Sequence, residues 1–196
     1  GIETGARLAR AAGGATVLGG VVYRAAYVVA PGIIEEGGLR GRLIFGDLGG
    51  GIGPRVAGLQ RAFDAAGLAT EAHPAIGVPL WLKFLIIASA GSVGGLTRLA
   101  YGGVRACPET MALIRGLMGE IDAVGRACGI PLPPDAIARQ LAAFAAIDDR
   151  VRSSLATDLA RGKPIELDAF NGTVVRLGRE RAIPTPLNFA VYAALK

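Results

Sequence analysis

The sequence has 196 residues, of which 52 % are hydrophobic and 19 % are charged. This composition excludes an intrinsically disordered chain, and the length allows one large or two small domains. The formal net charge is +5, but arginine is spread along the chain and aromatic residues make up only 6 %. We therefore expect a weak attraction for anionic ligands and no surface for nucleic acid.

Cysteine and histidine are too scarce for a zinc site. Cys107 and Cys128 do not form a C-x-x-C pair, and His73 is the single histidine, which excludes a Cys/His cluster. Two cysteines in a chain of this size favour reduced thiols inside the cell. The chain opens with no charged-then-apolar signal pattern, so we expect a cytoplasmic protein that does not bind membranes.

The first part of the chain is predicted to be rich in β-strands. Its predicted elements are, in order, a helix over 3–12 ended by Gly13-Gly14, one long or two short strands over 15–30, strands at 33–36 and 42–45 separated by Gly37-Gly38, a helix over 54–66 and a strand over 68–73. Successive short strands joined by glycine turns imply antiparallel pairing rather than a βαβ crossover.

From residue 77 onward the pattern is helical almost throughout. The predicted helices cover 84–97, 108–128, 133–147, 150–161, 168–180 and 187–195, with proline or glycine at each join. We therefore predict an α+β fold in which a β-rich part is followed by an all-helical part, with a boundary near residues 74–78.

The uncharged run over 84–97 is the element around which the helical part is predicted to form. Its 14 residues are too few to span a bilayer, which needs about 20, but they suit a helix that is apolar on nearly every face. Lys83 stands at its start beside Trp81 and Phe84. A lysine is seldom buried unless it is paired, so Lys83 either extends its ammonium off the helix end or faces a cleft.

Other polar motifs have an ordinary interpretation beside a functional one. The glycine-rich segment 49–53 has neither the G-x-G-x-x-G nor the G-x-x-x-x-G-K-[ST] spacing, so we interpret it as a connector. Ser153-Ser154 suits a helix N-cap, which is the commoner interpretation, and would also bind a carboxylate. Glu166 and Asp168 near a helix start are ordinary dipole partners, and in isolation they do not identify an enzyme.

Together, these segments resemble the ketopantoate reductase (2-dehydropantoate 2-reductase) family. The resemblance covers essentially the whole chain in the right order. It is carried by Val17-Leu-Gly-Gly-Val-Val-Tyr23, Pro31-Gly-Ile-Ile34, Leu43-Ile-Phe-Gly46, Trp81-x-Lys83-Phe, Pro108-Glu109, Ser153-Ser154-Leu155-x-x-Asp158, Gly162-Lys-Pro-Ile-Glu-Leu-Asp168, Asn171-Gly172, Arg176-Leu-Gly178 and Ile183-Pro-Thr-Pro186.

The resemblance implies an NADPH-dependent oxidoreductase of pantothenate and coenzyme A biosynthesis that reduces ketopantoate. Residues 1–76 would be the back half of a Rossmann-type NADP-binding domain, and residues 77–196 the all-helical substrate domain. By the same resemblance, Lys83 would be the general acid, Glu166 would hold the hydroxyl end of the substrate, and Ser154 would bind its carboxylate. The expected partner is a small 2-keto acid, and a homodimer stays open.

Two departures from the family pattern keep alternatives open. The G-x-G-x-x-G turn that would bind NADPH is expected upstream of Gly1, so this chain alone is expected to be inactive. Ile87 and Gly91 stand where the family often has asparagines, one and two helical turns after Lys83, which makes the predicted pocket more apolar. The chain is therefore a keto-acid reductase part, for ketopantoate or another 2-keto acid, or a non-catalytic helical domain that serves in assembly.

Overall fold

The computed structural model describes residues 1–13, 17–24, 26–36 and 41–196. Within them the predicted α+β fold is confirmed, since every strand lies before residue 73 and helices follow. The chain divides into two compact units, one formed by Glu3–Leu80 and the other by Trp81–Lys196 together with Gly1–Ile2. The predicted strand start at residue 15 and the turn at Gly37-Gly38 lie outside the described residues.

The described residues of the Glu3–Leu80 unit form two small sheets, two helices and the first turn of a third helix. Its elements are α1 (Thr4–Ala11), β1 (Leu18–Tyr23), β2 (Ala26–Ala30), β3 (Ile33–Glu36), β4 (Arg42–Asp47), α2 (Pro54–Ala65) and β5 (Thr70–Ala72). One sheet has the strand order β1-β4-β5, and β2 and β3 form a separate antiparallel pair. The stretch over 15–30 therefore contributes two strands.

Strand pairing in this unit differs from the sequence-based prediction at one point. β1 and β4 pair antiparallel, as expected, but β4 and β5 pair parallel. The connection between them runs through α2, which begins after Gly53 and gives the chain the length to return in the same direction. The rings of Phe45 and Phe63 meet edge to face at 5.4 Å, so α2 packs on the sheet.

The Trp81–Lys196 unit is all-helical. Its helices are α3 (Gly77–Thr97, of which Trp81 onward belongs to this unit), α4 (Tyr101–Ala106), α5 (Pro108–Ala127), α6 (Ala136–Ala145), α7 (Ser154–Ala160), α8 (Asn171–Glu180) and α9 (Pro186–Leu195). The core cluster contains residues of every one of these helices, including Phe84, Leu85, Ala88, Ala90 and Val93 of α3. α3 is therefore a core helix of this unit.

α3 is longer than the uncharged run that predicted it. It spans 21 residues, and by length and composition alone it is long and apolar enough to cross a bilayer. However, 61 % of its most apolar window is buried inside the protein. The helix begins at Gly77, which places Pro79 in its first turn. Amides in a first turn have no carbonyl of the same helix to bond, so the missing N–H of proline costs nothing there.

The loop between α6 and α7 is fixed by backbone and side-chain bonds from α4. The amides of Tyr101 and Gly102 donate to the carbonyls of Val151 and Asp149 at 2.9 Å each. The guanidinium of Arg105 donates to the carbonyls of Phe144 and Ile147 at 2.9 and 2.7 Å. These bonds hold the start of α7 in place.

Candidate functional site

On α3, Lys83 stands in the sequence between Trp81 and Phe84, whose side chains are both buried. The rings of Trp81 and Phe84 meet edge to face at 5.7 Å, and Lys83 itself is half-buried. Burial lowers the pKa of the Lys83 ammonium, because removal from water disfavours its charged form. A helix that is apolar on nearly every face thus carries one amine that releases its proton more readily than an exposed lysine.

The start of this stretch of α3 is held by close packing against α5. A Cβ atom at Gly125 would lie 2.8 Å from Cε3 of Trp81, which is too short for an ordinary contact. Gly125 therefore lets α5 approach the indole directly. Trp81 is 5 % exposed, so the residue two positions before Lys83 is locked in the core.

The positions one and two turns after Lys83 carry no polar side chain. Ile87 is half-buried and Gly91 is buried. A Cβ at Gly91 would make an ordinary contact with Cβ of Ser153 at 3.9 Å. The apolar character expected from the sequence is thus a property of this face of α3.

Ser153 and Ser154 have separate roles at the start of α7. Ser153 is buried, and its Oγ accepts from the amide of Ala156 at 3.0 Å and donates to the carbonyl of Gly91 at 3.0 Å. It is the N-cap of α7 and ties that helix to α3. Ser154 is the first residue of α7 and is exposed, which leaves its side chain accessible to a ligand.

A partly buried tyrosine, Tyr101, also contacts Ser153. Burial raises the pKa of Tyr101 to about 12, although a hydrogen bond with the Ser153 side chain acts in the opposite direction. The phenol therefore stays protonated at neutral pH. It supports the capping serine and was not singled out from the sequence.

Glu166 begins a tight turn that leads into α8. Its carbonyl accepts from the amides of Ala169 and Phe170 at 3.1 Å each, whereas its side chain is exposed. Phe170 is buried and its ring meets that of Phe84 at 6.3 Å. We define the Glu166 turn as residues 166–170. Through Phe170 this turn packs on Phe84, the residue of α3 that follows Lys83.

The Glu166 turn is also bound to the end of α9. The Asp168 carboxylate accepts from the Tyr192 hydroxyl at 2.6 Å and from the Lys196 ammonium at 2.8 Å. The hydrogen bond from Lys196, with a further one from Tyr192, lowers the pKa of Asp168. Asp168 therefore ties the Glu166 turn to the C-terminal end of α9.

A network of buried amides joins four helices and was missed in the sequence analysis. Asn171 donates to Asn188 Oδ1 at 3.0 Å, and Asn188 Nδ2 donates to the Glu120 carboxylate at 2.7 Å. Glu120 also accepts from the amides of Leu187 and Asn188 at 2.8 and 2.9 Å. The available signal was Asn188, a lone amide in the otherwise apolar segment 187–195.

The structure attaches each predicted site segment to α3. Lys83 lies on that helix, the Ser153-Ser154 segment reaches the Gly91 carbonyl, and the Glu166 turn packs on Phe84. α3 is therefore the common support of the three predicted site residues.

A groove in the Glu3–Leu80 unit has a volume of about 760 Å³ and is lined by Val22, Arg24, Glu36, Gly41, Arg42, Leu43, Gly67, Leu68, Ala69 and Thr70. It contains none of the predicted site residues. Across the described ranges, no three His, Cys, Asp or Glu side chains are grouped to hold a metal ion.

The glycine-rich segment 49–53 does not form a dinucleotide-phosphate site. Gly50 and Gly51 have φ angles of +87° and +82°, but the segment precedes a helix whose first residue, Pro54, has no N–H to donate. A pyrophosphate is held by glycine-turn and helix amides in the G-x-G-x-x-G arrangement. This segment therefore does not fit NADPH.

Residues 78–196 match the family described as ketopantoate reductase PanE/ApbA C terminal. The chain is 31 % identical over all its 196 residues to a 2-dehydropantoate 2-reductase of Mesorhizobium japonicum, of which it covers 59 %. Two crystal structures align with TM-scores of 0.87. A 2-dehydropantoate 2-reductase from Methylococcus capsulatus is 30 % identical, with 98 % of this chain and 61 % of that one covered. A PanE/ApbA family ketopantoate reductase from Ralstonia eutropha is 32 % identical, with 100 % and 63 % covered.

The chain thus spans about three fifths of the length of these relatives, as the shares of 59 %, 61 % and 63 % indicate.

Proposed function

The chain belongs to the ketopantoate reductase (PanE/ApbA) family, and from this we propose that it is the substrate-binding and proton-donating part of an NADPH-dependent 2-keto acid reductase. The observation that carries the proposal is the half-buried Lys83, whose pKa is lowered by burial on the helix that supports both other site segments. Residues 77–196 would be the substrate domain, and residues 1–76 the back half of the NADP-binding domain.

Lys83 would act as the general acid. A keto acid develops alkoxide charge on its carbonyl oxygen as it is reduced, and a positioned ammonium both stabilises that charge and gives up a proton. Proton transfer from Lys83 is easier because burial moves the pKa of its ammonium toward neutral pH. The hydride would come from NADPH, and the residues of this chain would supply the proton.

Ser154 and Glu166 would orient the substrate. The exposed Ser154 hydroxyl would donate to the substrate carboxylate, while the Ser153 hydroxyl is already used by the α7 cap. The exposed Glu166 side chain would accept from the hydroxyl end of the substrate. Both roles need side chains on firmly held backbone, and both segments are bonded or packed against α3.

The apolar face after Lys83 bears on the identity of the substrate. Ile87 is half-buried where a hydrogen-bonding asparagine is frequent in the family, and an isoleucine cannot bond a substrate hydroxyl. The proposal therefore covers ketopantoate and, as the second candidate, a 2-keto acid with a more apolar side chain. A cytoplasmic location and a homodimer are part of the same proposal.

Lys83→Ala in the full-length protein tests the proposal. We expect kcat/KM to fall at least about 100-fold, the lower end for a positioned proton donor, with little change in NADPH affinity. Lys163→Ala is the matched control, since Lys163 is an exposed lysine of the same unit. Steady-state kinetics with a panel of 2-keto acids gives both the effect and the preferred substrate.

Two results would contradict the proposal. If Lys83→Ala turned over within threefold of the wild type, Lys83 would not be the proton donor. It would then be a lysine whose ammonium extends off the helix into solvent. A wild-type protein that binds NADPH but reduces no 2-keto acid would favour the alternative of a non-catalytic helical domain that serves in assembly.

A further inference from the structure

Two fully buried amides, Asn171 and Asn188, connect the start of α8 to the core. Asn171 Nδ2 donates to Asn188 Oδ1 at 3.0 Å and to the carbonyl of Ala88, on α3, at 3.4 Å. Asn188 Nδ2 in turn donates to Glu120 at 2.7 Å and to the Leu117 carbonyl at 3.4 Å. Asn171 therefore hydrogen-bonds the start of α8 to the Lys83 helix.

Asn171 directly follows the Glu166 turn in sequence. The turn is closed by backbone bonds, including that from the amide of Gly172 to the carbonyl of Leu167 at 3.1 Å. Movement of the Asn171 backbone is thus transmitted to the turn through few rotatable bonds. Phe170 packs on Phe84 at the same helix, so an apolar contact and a polar contact fix the turn at two successive points of α3.

The polar contact is not explained by stability alone. Asn171 Oδ1 is buried with no hydrogen-bond partner in the described part of the chain. An unpartnered buried acceptor destabilises the folded state, whereas an apolar side chain of similar size has no such effect. The Ala88 carbonyl also accepts from the Ser92 hydroxyl at 2.5 Å, so it does not need Asn171 to be satisfied.

We propose that Asn171 is a positioning residue, which sets the location of the Glu166 turn relative to Lys83 by binding the α3 backbone. Hydrogen bonds have preferred directions, whereas an apolar contact permits sliding. The amide thus specifies one register of the turn on α3. The inference rests on the proposed roles of Lys83 and Glu166.

Asn171→Leu in the full-length protein, compared with Ser92→Ala, tests the inference. Ser92→Ala removes a hydrogen bond to the same Ala88 carbonyl but leaves the α8 contact in place. Asn171→Leu should lower kcat about tenfold or more, because small displacements of site groups have large effects on rate, with NADPH affinity unchanged. Ser92→Ala should turn over within twofold of the wild type.

A second readout does not depend on activity. Hydrogen exchange at the amides of Ala169, Phe170 and Gly172 should become at least threefold faster in Asn171→Leu and stay unchanged in Ser92→Ala. If Asn171→Leu does not fold, the double variant Asn171→Leu/Asn188→Leu replaces it. The single variant leaves the buried Asn188 amide without its bond from Asn171, and the double variant removes that amide as well.

The outcomes separate the inference from the proposed function. Unchanged exchange at the three amides, or an equal rise in all helices of the unit, overturns the positioning role whatever the turnover. A kcat within threefold of the wild type overturns it as well. Wild-type protein without 2-keto acid turnover refutes the proposed function, and faster exchange confined to the turn would then still support the role of Asn171 in holding it.

Discussion

Removal of the Glu120 carboxylate should strongly destabilise the helical unit. Glu120 on α5 accepts from the amides of Leu187 and Asn188, at 2.8 and 2.9 Å, and so acts as the N-terminal cap of α9, whose own Thr185 makes no side-chain cap bond. Loss of a capping side chain costs about 1 kcal/mol. Asn188 Nδ2 would in addition lose its bond to Glu120 in a fully buried position, which adds about 2 kcal/mol.

Glu120→Ala is therefore expected to lower the free energy of unfolding by about 3 kcal/mol, or the melting temperature by about 6–12 °C for a chain of this length. Trp81 is the single tryptophan and is 5 % exposed, so its fluorescence follows unfolding of this unit in urea. Glu180→Ala is the control, because its exposed pair with Arg176 contributes about 0.5 kcal/mol or less. A Glu120→Ala midpoint equal to that of the control would refute the capping argument.

Three further predictions concern the whole chain. NADPH titrated into this 196-residue chain by fluorescence should show no useful affinity, because the sequence contains no G-x-G-x-x-G turn to hold a pyrophosphate; micromolar binding would contradict this. Lys83→Met should raise the melting temperature at pH 7, because it removes a charged amine that burial disfavours. This difference from the wild type should shrink as the pH approaches 10.5, the ordinary lysine pKa, above which Lys83 is uncharged in both the folded and the unfolded protein. A difference that does not change with pH would exclude a lowered pKa. Limited proteolysis should cut in the exposed segment 48–53 before it cuts within 84–96, and early cleavage in the latter would contradict a core position of α3.

Sequence patterns revealed the helices and the central position of α3, because apolar periodicity is a local property. Lys83 could be found in the same way, as one charge at the start of an uncharged run. Strand pairing could not, since the parallel β4–β5 contact depends on how α2 packs on the sheet, and glycine turns favoured hairpins only. α4 was missed because Gly102 and Gly103 weaken a helical pattern.

The buried amide network was beyond sequence analysis for a related reason. Asn171 bonds to a residue 17 positions away, and Asn188 to one 68 positions away, and no local pattern encodes such pairs. A lone asparagine in an apolar segment indicates that a partner must exist. It does not indicate which residue that partner is.

The late arrival of the partners of α3 has a consequence for protein synthesis in the cell. Its carbonyls at Gly91 and Ala88 are bonded by side chains that follow 62 and 83 residues later. At the usual elongation rate of about 5–20 residues per second, Asn171 follows Ala88 after about 4–17 s. Helix α5 can cover part of α3 earlier, but during that interval the 21-residue apolar segment, which has the length of a membrane span, lacks its contacts with α8 and α9. Ribosome-associated chaperones are therefore expected to engage this protein until α8 and α9 emerge, and a premature stop before α8 should yield a polypeptide that aggregates or inserts into lipid.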